Sequence, residues 1–232
     1  MRRRRAEDII LIVQIRLGRH SLVLLLPFFV SFCSSPPRGV IVLCAGDSIT
    51  AAAYPHFLQR LFNREGIRAR VLNYGRSGFS SGEYRRFLER GGDGLMGERP
   101  DFILLELGTN DLRVDGDHAS TPEFEANMRA ILSLLGGLRG RSGRPARVLL
   151  AAIPPLPEGT PLPFSPESSR RVEADINPAI RALAAEAGLS VVDIHALFAG
   201  RPDLLPGVHP SREGYQRMAE AWLAALKPLV RE

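Results

Sequence analysis

The stretch Gly39-Val40-Ile41-Val42-Leu43-Cys44-Ala45-Gly46-Asp47-Ser48-Ile49-Thr50 is an unbroken apolar run that ends in a glycine, an acid and a serine. A run this rich in Val, Ile and Leu reads as a parallel strand buried on both faces. It predicts that Ser48 stands at the carboxyl end of that strand, the edge where open α/β sheets keep their chemistry. Alone, the segment is an ordinary strand-to-helix turn in which Asp or Ser caps the next helix. Outward from it, four more runs of the same kind follow at residues 69–73, 101–107, 147–153 and 189–194. With helical patterns between them they make a series of βαβ units, and no internal repeat is present.

The helices announce their starts. Ser80 with Glu83 forms a capping-box pattern, and Thr121-Pro122-Glu123 supplies a cap, a first-turn proline and a dipole-matched acid. Ser165-Pro166-Glu167 repeats that signature ahead of a long segment in which Pro178 is expected to kink or divide the helix. Ser211 and Glu213 open a final amphipathic helix through Met218, Trp222 and Leu226. Residues 154–164, rich in proline, read as a loop that walls a cleft.

At 232 residues the chain suits one α/β domain, residues 38–232, behind a leader of residues 1–37. The net charge of +5 resides mostly in that leader, whose six arginines outweigh Glu7 and Asp8. The remainder holds 24 basic and 23 acidic residues, a balance that excludes the clustered basic face needed for nucleic acid. Arg2 to Arg5 precede two apolar stretches, 9–15 and 21–33, and the second has the length of a signal-peptide core. Cleavage after Cys33 is the favoured reading, ahead of lipidation at Cys33, for which Phe32 is bulky. An uncleaved anchor or an over-extended start is the plainer alternative. Export or membrane anchoring, in the periplasm or cell envelope if the source is bacterial, is therefore expected, with membrane contact only through the leader. Cys33 and Cys44 are the only cysteines, so a chain cut after Cys33 forms no internal disulfide. Without a His-x-x-x-His or cysteine pair, no metal site and no cofactor are expected.

Parallel strands run one way, so Ser48, the loop Asn73-Tyr74-Gly75-Arg76-Ser77-Gly78 and the turn Gly108-Thr109-Asn110-Asp111 should emerge on a common edge. Gly207-Val208-His209-Pro210-Ser211 precedes the last helix, which can bring His209 there too. Acyl transfer needs these residue types. A serine hydroxyl is a weak nucleophile until an imidazole takes its proton, and the oxyanion then needs donors aimed at it. Gly78 has no side chain to obstruct its N–H, and Asn110 offers a carboxamide N–H.

With GDSIT at 46–50, NYGRSG at 73–78, ELGTND at 106–111 and VHPSREGY at 208–215, the chain resembles the SGNH or GDSL hydrolase family over residues 39–228. Each block is weak alone, but four in order are specific. The resemblance implies a three-layer α/β/α flavodoxin-like fold with a five-stranded parallel sheet and a metal-free serine esterase. It makes Ser48 the nucleophile, His209 the base, and Gly78, Asn110 and the Ser48 amide the oxyanion hole. The family usually has an aspartate three residues before the histidine, where this chain has Pro206. Three arrangements follow: a carbonyl near Leu205 orients His209 in a Ser-His dyad, Asp203 folds back to do so, or the site is impaired. The dyad ranks first and Asp203 second, because a carbonyl acceptor still selects the correct tautomer.

Of the remaining candidates, Asp47 and Asp111 read as turn braces, His195 as structural, and His56 and His118 as surface residues. Arg76 reads either as a contact for an anionic substrate group or as a solvated loop arginine. The expected function is an esterase that removes small acyl groups, acetyl among them, through an acyl-serine intermediate. Its alternatives are an O-acyltransferase acting on envelope glycan, and a glycan- or lipid-binding module that lost its catalytic acid. Against the last, a site without catalytic use has no chemical reason to keep all four groups.

Overall fold

The computed structural model describes residues 10–17, 20–27, 39–116 and 119–230. The chain divides into two compact units, residues 1–38 and 39–232. In the first unit, strand β1 (Ile10–Leu17) pairs antiparallel with β2 (His20–Pro27), in a register running from Ile10 opposite Pro27 to Leu17 opposite His20. The arginine run at 2–5, the cut or lipidation at Cys33, and His118 lie outside the described residues. Among the described residues no helix is long and apolar enough to cross a membrane.

The second unit opens with β3 (Val40–Gly46), the short helix α1 (Ser48–Ala51) and α2 (Tyr54–Arg64). Next come β4 (Ala69–Gly75), α3 (Ser81–Glu89), β5 (Phe102–Glu106) and α4 (Thr121–Gly136). The chain closes with β6 (Arg147–Ala152), α5 (Pro166–Arg171), α6 (Asn177–Ala187), β7 (Ser190–Asp193), α7 (Ile194–Phe198) and α8 (Arg212–Val230). All five strands of this unit pair in parallel, in the order β4-β3-β5-β6-β7. The order reverses between β3 and β5, and in a doubly wound sheet the crevice outside the strand ends at such a switch is where ligands bind. Ser48 follows β3 and Asn110 follows β5, so both stand at that crevice.

The two faces of the sheet divide the core. Successive strand residues point to opposite sides, so Leu43, Ile103, Leu105 and Leu150 meet Phe124, Met128 and Ile180 on one face. Val42, Cys44, Leu104 and Leu149 meet Leu58, Phe62, Met218 and Trp222 on the other. The result is the expected three-layer α/β/α fold.

Local start signals hold, with two adjustments. Ser80 and Glu83 form the reciprocal capping box, but the cap of α4 is Ser120 rather than Thr121. Ser120 sits three residues before Glu123, so hydroxyl and carboxylate can satisfy each other's backbone N–H. Pro178 lies in the first turn of α6, where its missing N–H costs nothing, and a wide π turn at Val172–Ile176 absorbs the break between α5 and α6.

Candidate active site

Ser48 begins α1, and the groups that fix it are buried on either side of it in the chain. Asp47, fully buried, caps the helix by accepting from Ile49 N–H at 2.9 Å. Thr50, also fully buried, donates its hydroxyl to Glu106 Oε2 at 3.1 Å. Asn73 ties the next loop to the same turn, its Nδ2 donating to Ala51 O at 3.0 Å. Gly46 makes this junction feasible. A Cβ there would lie 2.0 Å from Glu106 O and 2.4 Å from Thr50 Oγ1.

His209 reaches the site on the segment leading into α8. Leu204 and Leu205 are buried, and Ser211 N–H donates to Leu204 O at 2.8 Å, which folds the intervening loop toward the sheet edge. His209 Nε2 lies 2.8 Å from Ser48 Oγ, across 161 positions of sequence. Among the described residues no group takes a hydrogen bond from the other ring nitrogen, Nδ1, and the histidine is exposed. Asp203 is held elsewhere: both its oxygens accept from Arg201, at 3.1 and 2.8 Å.

Asn110 and Gly78 line the same cavity as Ser48 and His209, a cleft of about 810 Å³. The Asn110 carboxamide is fixed by donating to Phe79 O at 3.1 Å, which uses one of its two N–H bonds and leaves the other. Gly78 has φ +82°, and no atom lies within 4 Å of where its Cβ would be. Glycine there serves a left-handed turn whose open side is the cleft, rather than a crowded contact.

Asp111 braces the neighbouring turn by accepting from Ser81 N–H at 2.9 Å and Ser81 Oγ at 2.5 Å. Arg76 does not line the cleft: its part-exposed side chain pairs with the exposed Asp93 at 2.8 Å and lies 4.5 Å over the Phe87 ring. His195 faces Glu173 at 3.5 Å from within α7, and His56 is exposed.

Sequence reasoning left Glu106 without a role. It is buried to 0% exposure, and burial first, then the neighbouring Asp47 charge, push its carboxyl well above the usual range. Asp47 is raised in the same direction, chiefly by burial. One oxygen of each, Asp47 Oδ2 and Glu106 Oε1, has no hydrogen-bond partner among the described residues. Charged carboxylates left so would be costly, and burial accordingly favours the protonated form of each. The signal was present in the motif itself, an acid closing a wholly apolar strand.

A model of the family described as "GDSL-like Lipase/Acylhydrolase family" matches residues 44–217. The chain belongs to that family. An acetylxylan esterase of Xylanibacter ruminicola is 28% identical over 212 residues, covering 80% of this chain and 43% of that protein. A multidomain esterase of Ruminococcus flavefaciens is 29% identical over 141 residues, covering 60% of this chain and 17% of that protein. The chain thus spans less than half the length of these curated relatives. A lipase/acylhydrolase from Enterococcus faecalis shares the fold with a TM-score of 0.68 at 20% identity, covering 82% of this chain and 96% of that one. An acetyl xylan esterase does so with a TM-score of 0.65 at 22% identity, covering 81% and 100%.

Proposed function

We propose that this GDSL-family chain is a serine esterase of small acyl esters, with Ser48 as nucleophile and His209 as general base. The observation that carries the reading is the 2.8 Å approach of His209 Nε2 to Ser48 Oγ. In the first half-reaction Ser48 Oγ attacks the carbonyl carbon while its proton passes to Nε2. The oxyanion so formed is held by the N–H groups of Ser48 and Gly78 and by the second N–H of Asn110. Collapse breaks the bond to the alcohol, which leaves with the proton from Nε2, and the acyl group remains on Ser48. Water then attacks the acyl-serine, gives its proton to Nε2, and the carboxylic acid departs as Ser48 recovers that proton.

Among the described residues neither a carbonyl near Leu205 nor Asp203 meets Nδ1, so Ser48 and His209 work as a pair without an orienting third member. The name of the first curated relative makes acetylated xylan a substrate to try, with acetyl as the acyl group. Arg2 to Arg5 and the apolar stretches behind them support export or anchoring in the envelope. The test is turnover of p-nitrophenyl acetate by wild type and Ser48→Ala, with fluorophosphonate labelling of both. Loss of about 10⁶ in kcat and of labelling is expected. Equal turnover would remove Ser48 from the mechanism, and a wild type that neither turns over nor labels would favour a binding module.

A further inference from the structure

Among the described residues, two large apolar side chains stand exposed: Val114 at 51% and Leu162 at 79%. Single exposed apolar residues are ordinary, but these two are neighbours at one place. Leu162 lines the cleft that holds Ser48 and His209. Val114 follows Arg113 of the same lining, and its N–H donates to Pro163 O at 2.8 Å, which clasps the two segments together. Leu162 thus displays at the cleft apolar surface that the fold otherwise buries, and Val114 stands on the segment clasped beside it.

The rest of the lining has the same character. Ala51, Ala52, Pro161, Pro163 and Val208 add apolar surface. Of its polar side chains, Arg113 is engaged with both oxygens of Asp115, those of Ser48, His209 and Asn110 belong to the proposed catalytic set, and Ser77 adds one exposed hydroxyl. The two aromatic residues of the lining, Phe164 and Tyr215, are each only 7% exposed and present no open ring for a sugar to stack on. A sugar would find few hydrogen-bond partners on such a wall, whereas a hydrocarbon chain would find contact along it. The cleft, at about 810 Å³, has room for far more than an acetyl group.

We propose that Leu162 and Val114 form a subsite for an apolar chain of several carbons on the ester, and that such esters are the preferred substrates. The proposal rests on Ser48 acting as nucleophile, and either the acyl or the alcohol side can carry the chain. A chain laid against this wall leaves water, and each methylene so buried raises kcat/KM about fourfold.

The experiment uses the full chain, as wild type, Leu162→Ser, Val114→Thr, the double variant and Ser48→Ala. One series varies the acyl group (p-nitrophenyl acetate, butyrate, hexanoate), and a second varies the alcohol of an acetate (methyl, butyl, hexyl). Acetylated xylo-oligosaccharide is assayed beside them. The readout is the ratio of kcat/KM for the longest to the shortest ester. In wild type that ratio should exceed one in at least one series, and the series identifies the side. In the double variant it should fall about sixteenfold, the equivalent of roughly two buried methylenes. A wild-type ratio of one or less in both series, a ratio the variants leave unaltered, or acetylated xylo-oligosaccharide as the best substrate would overturn the proposal. Retained turnover in Ser48→Ala would remove the catalytic reading and this one together, whereas Ser48-dependent turnover with an unaltered ratio would remove this one alone.

Discussion

The turn that carries Ser48 and the loop that carries His209 are held in opposite ways. Around Ser48 the support is mostly buried: the Asp47 cap and the Thr50 to Glu106 hydrogen bond lie in the core, and the exposed Asn73 tie joins them within a few residues. His209 is exposed, and the hydrogen bond of its ring is the one to Ser48. Its loop is located by the buried pair Leu204 and Leu205, but among the described residues no further side chain sets the rotation of the imidazole. The fold therefore fixes Ser48 through its core, at the expense of burying carboxyl groups. The orientation of His209 is left to a surface segment, and that segment is where the family's usual aspartate is missing.

If the well-held half is the catalytic one, its oxyanion donors should matter most. Asn110→Ala removes a donor already fixed by Phe79 O, and a fall in kcat of about 10² to 10³ with little change in KM is expected. Steady-state kinetics on p-nitrophenyl acetate check it. A loss confined to KM would mean that Asn110 binds the ground state and the transition state alike.

The same contrast explains what the sequence disclosed. Ser48, Gly78, Asn110 and His209 were readable because parallel strands send successive loops to one edge, so order along the chain becomes proximity in space. Glu106 was not, because an acid at a strand end ordinarily faces solvent. Only the central position of β5 buries it, and only the fold brings Thr50 to it across 56 residues. The cap of α4 was misread by one position because serine and threonine stand side by side at 120 and 121, and the reach of Glu123 decides between them. Leu162 and Val114 escaped for a different reason. A proline-rich composition marks a loop, but which of its side chains remain exposed depends on what packs beneath.

The under-held half can be repaired. Pro206 occupies the position from which the family's aspartate usually orients the histidine, and Pro206→Asp should raise kcat about tenfold, within the roughly 10⁴ that such a carboxylate supplies in a serine protease. Asp203→Asn should change kcat less than twofold, because its carboxylate is committed to Arg201 on an exposed surface. Parallel kinetics on the two variants sharpen the comparison. A large loss in Asp203→Asn with no gain in Pro206→Asp would make Asp203 the orienting acid in solution.

The cost of the well-held half should appear as a pH dependence of stability. Burial raises Asp47 to about 7 and Asp111 to about 6, and raises Glu106 well above its usual range. A carboxyl raised on folding binds more protons in the native state. Its contribution is complete below the unfolded pKa and is lost as pH rises through the folded one. The free energy of unfolding should therefore decline from about pH 4 to about pH 7, by up to about 1.4 kcal/mol per pH unit for each proton concerned. The exposed pairs Arg113–Asp115 and Arg201–Asp203, whose carboxyls are lowered by their arginines, act in the opposite direction but are screened by solvent. Glu106→Gln keeps an oxygen for the Thr50 hydroxyl, removes one buried carboxyl and relieves the charge that Asp47 and Glu106 exert on each other. Urea unfolding between pH 4 and pH 8 should then show a shallower decline than wild type. An identical decline in the two proteins would mean that Glu106 titrates alike in the folded and unfolded chains and that Asp47 and Asp111 alone carry the cost.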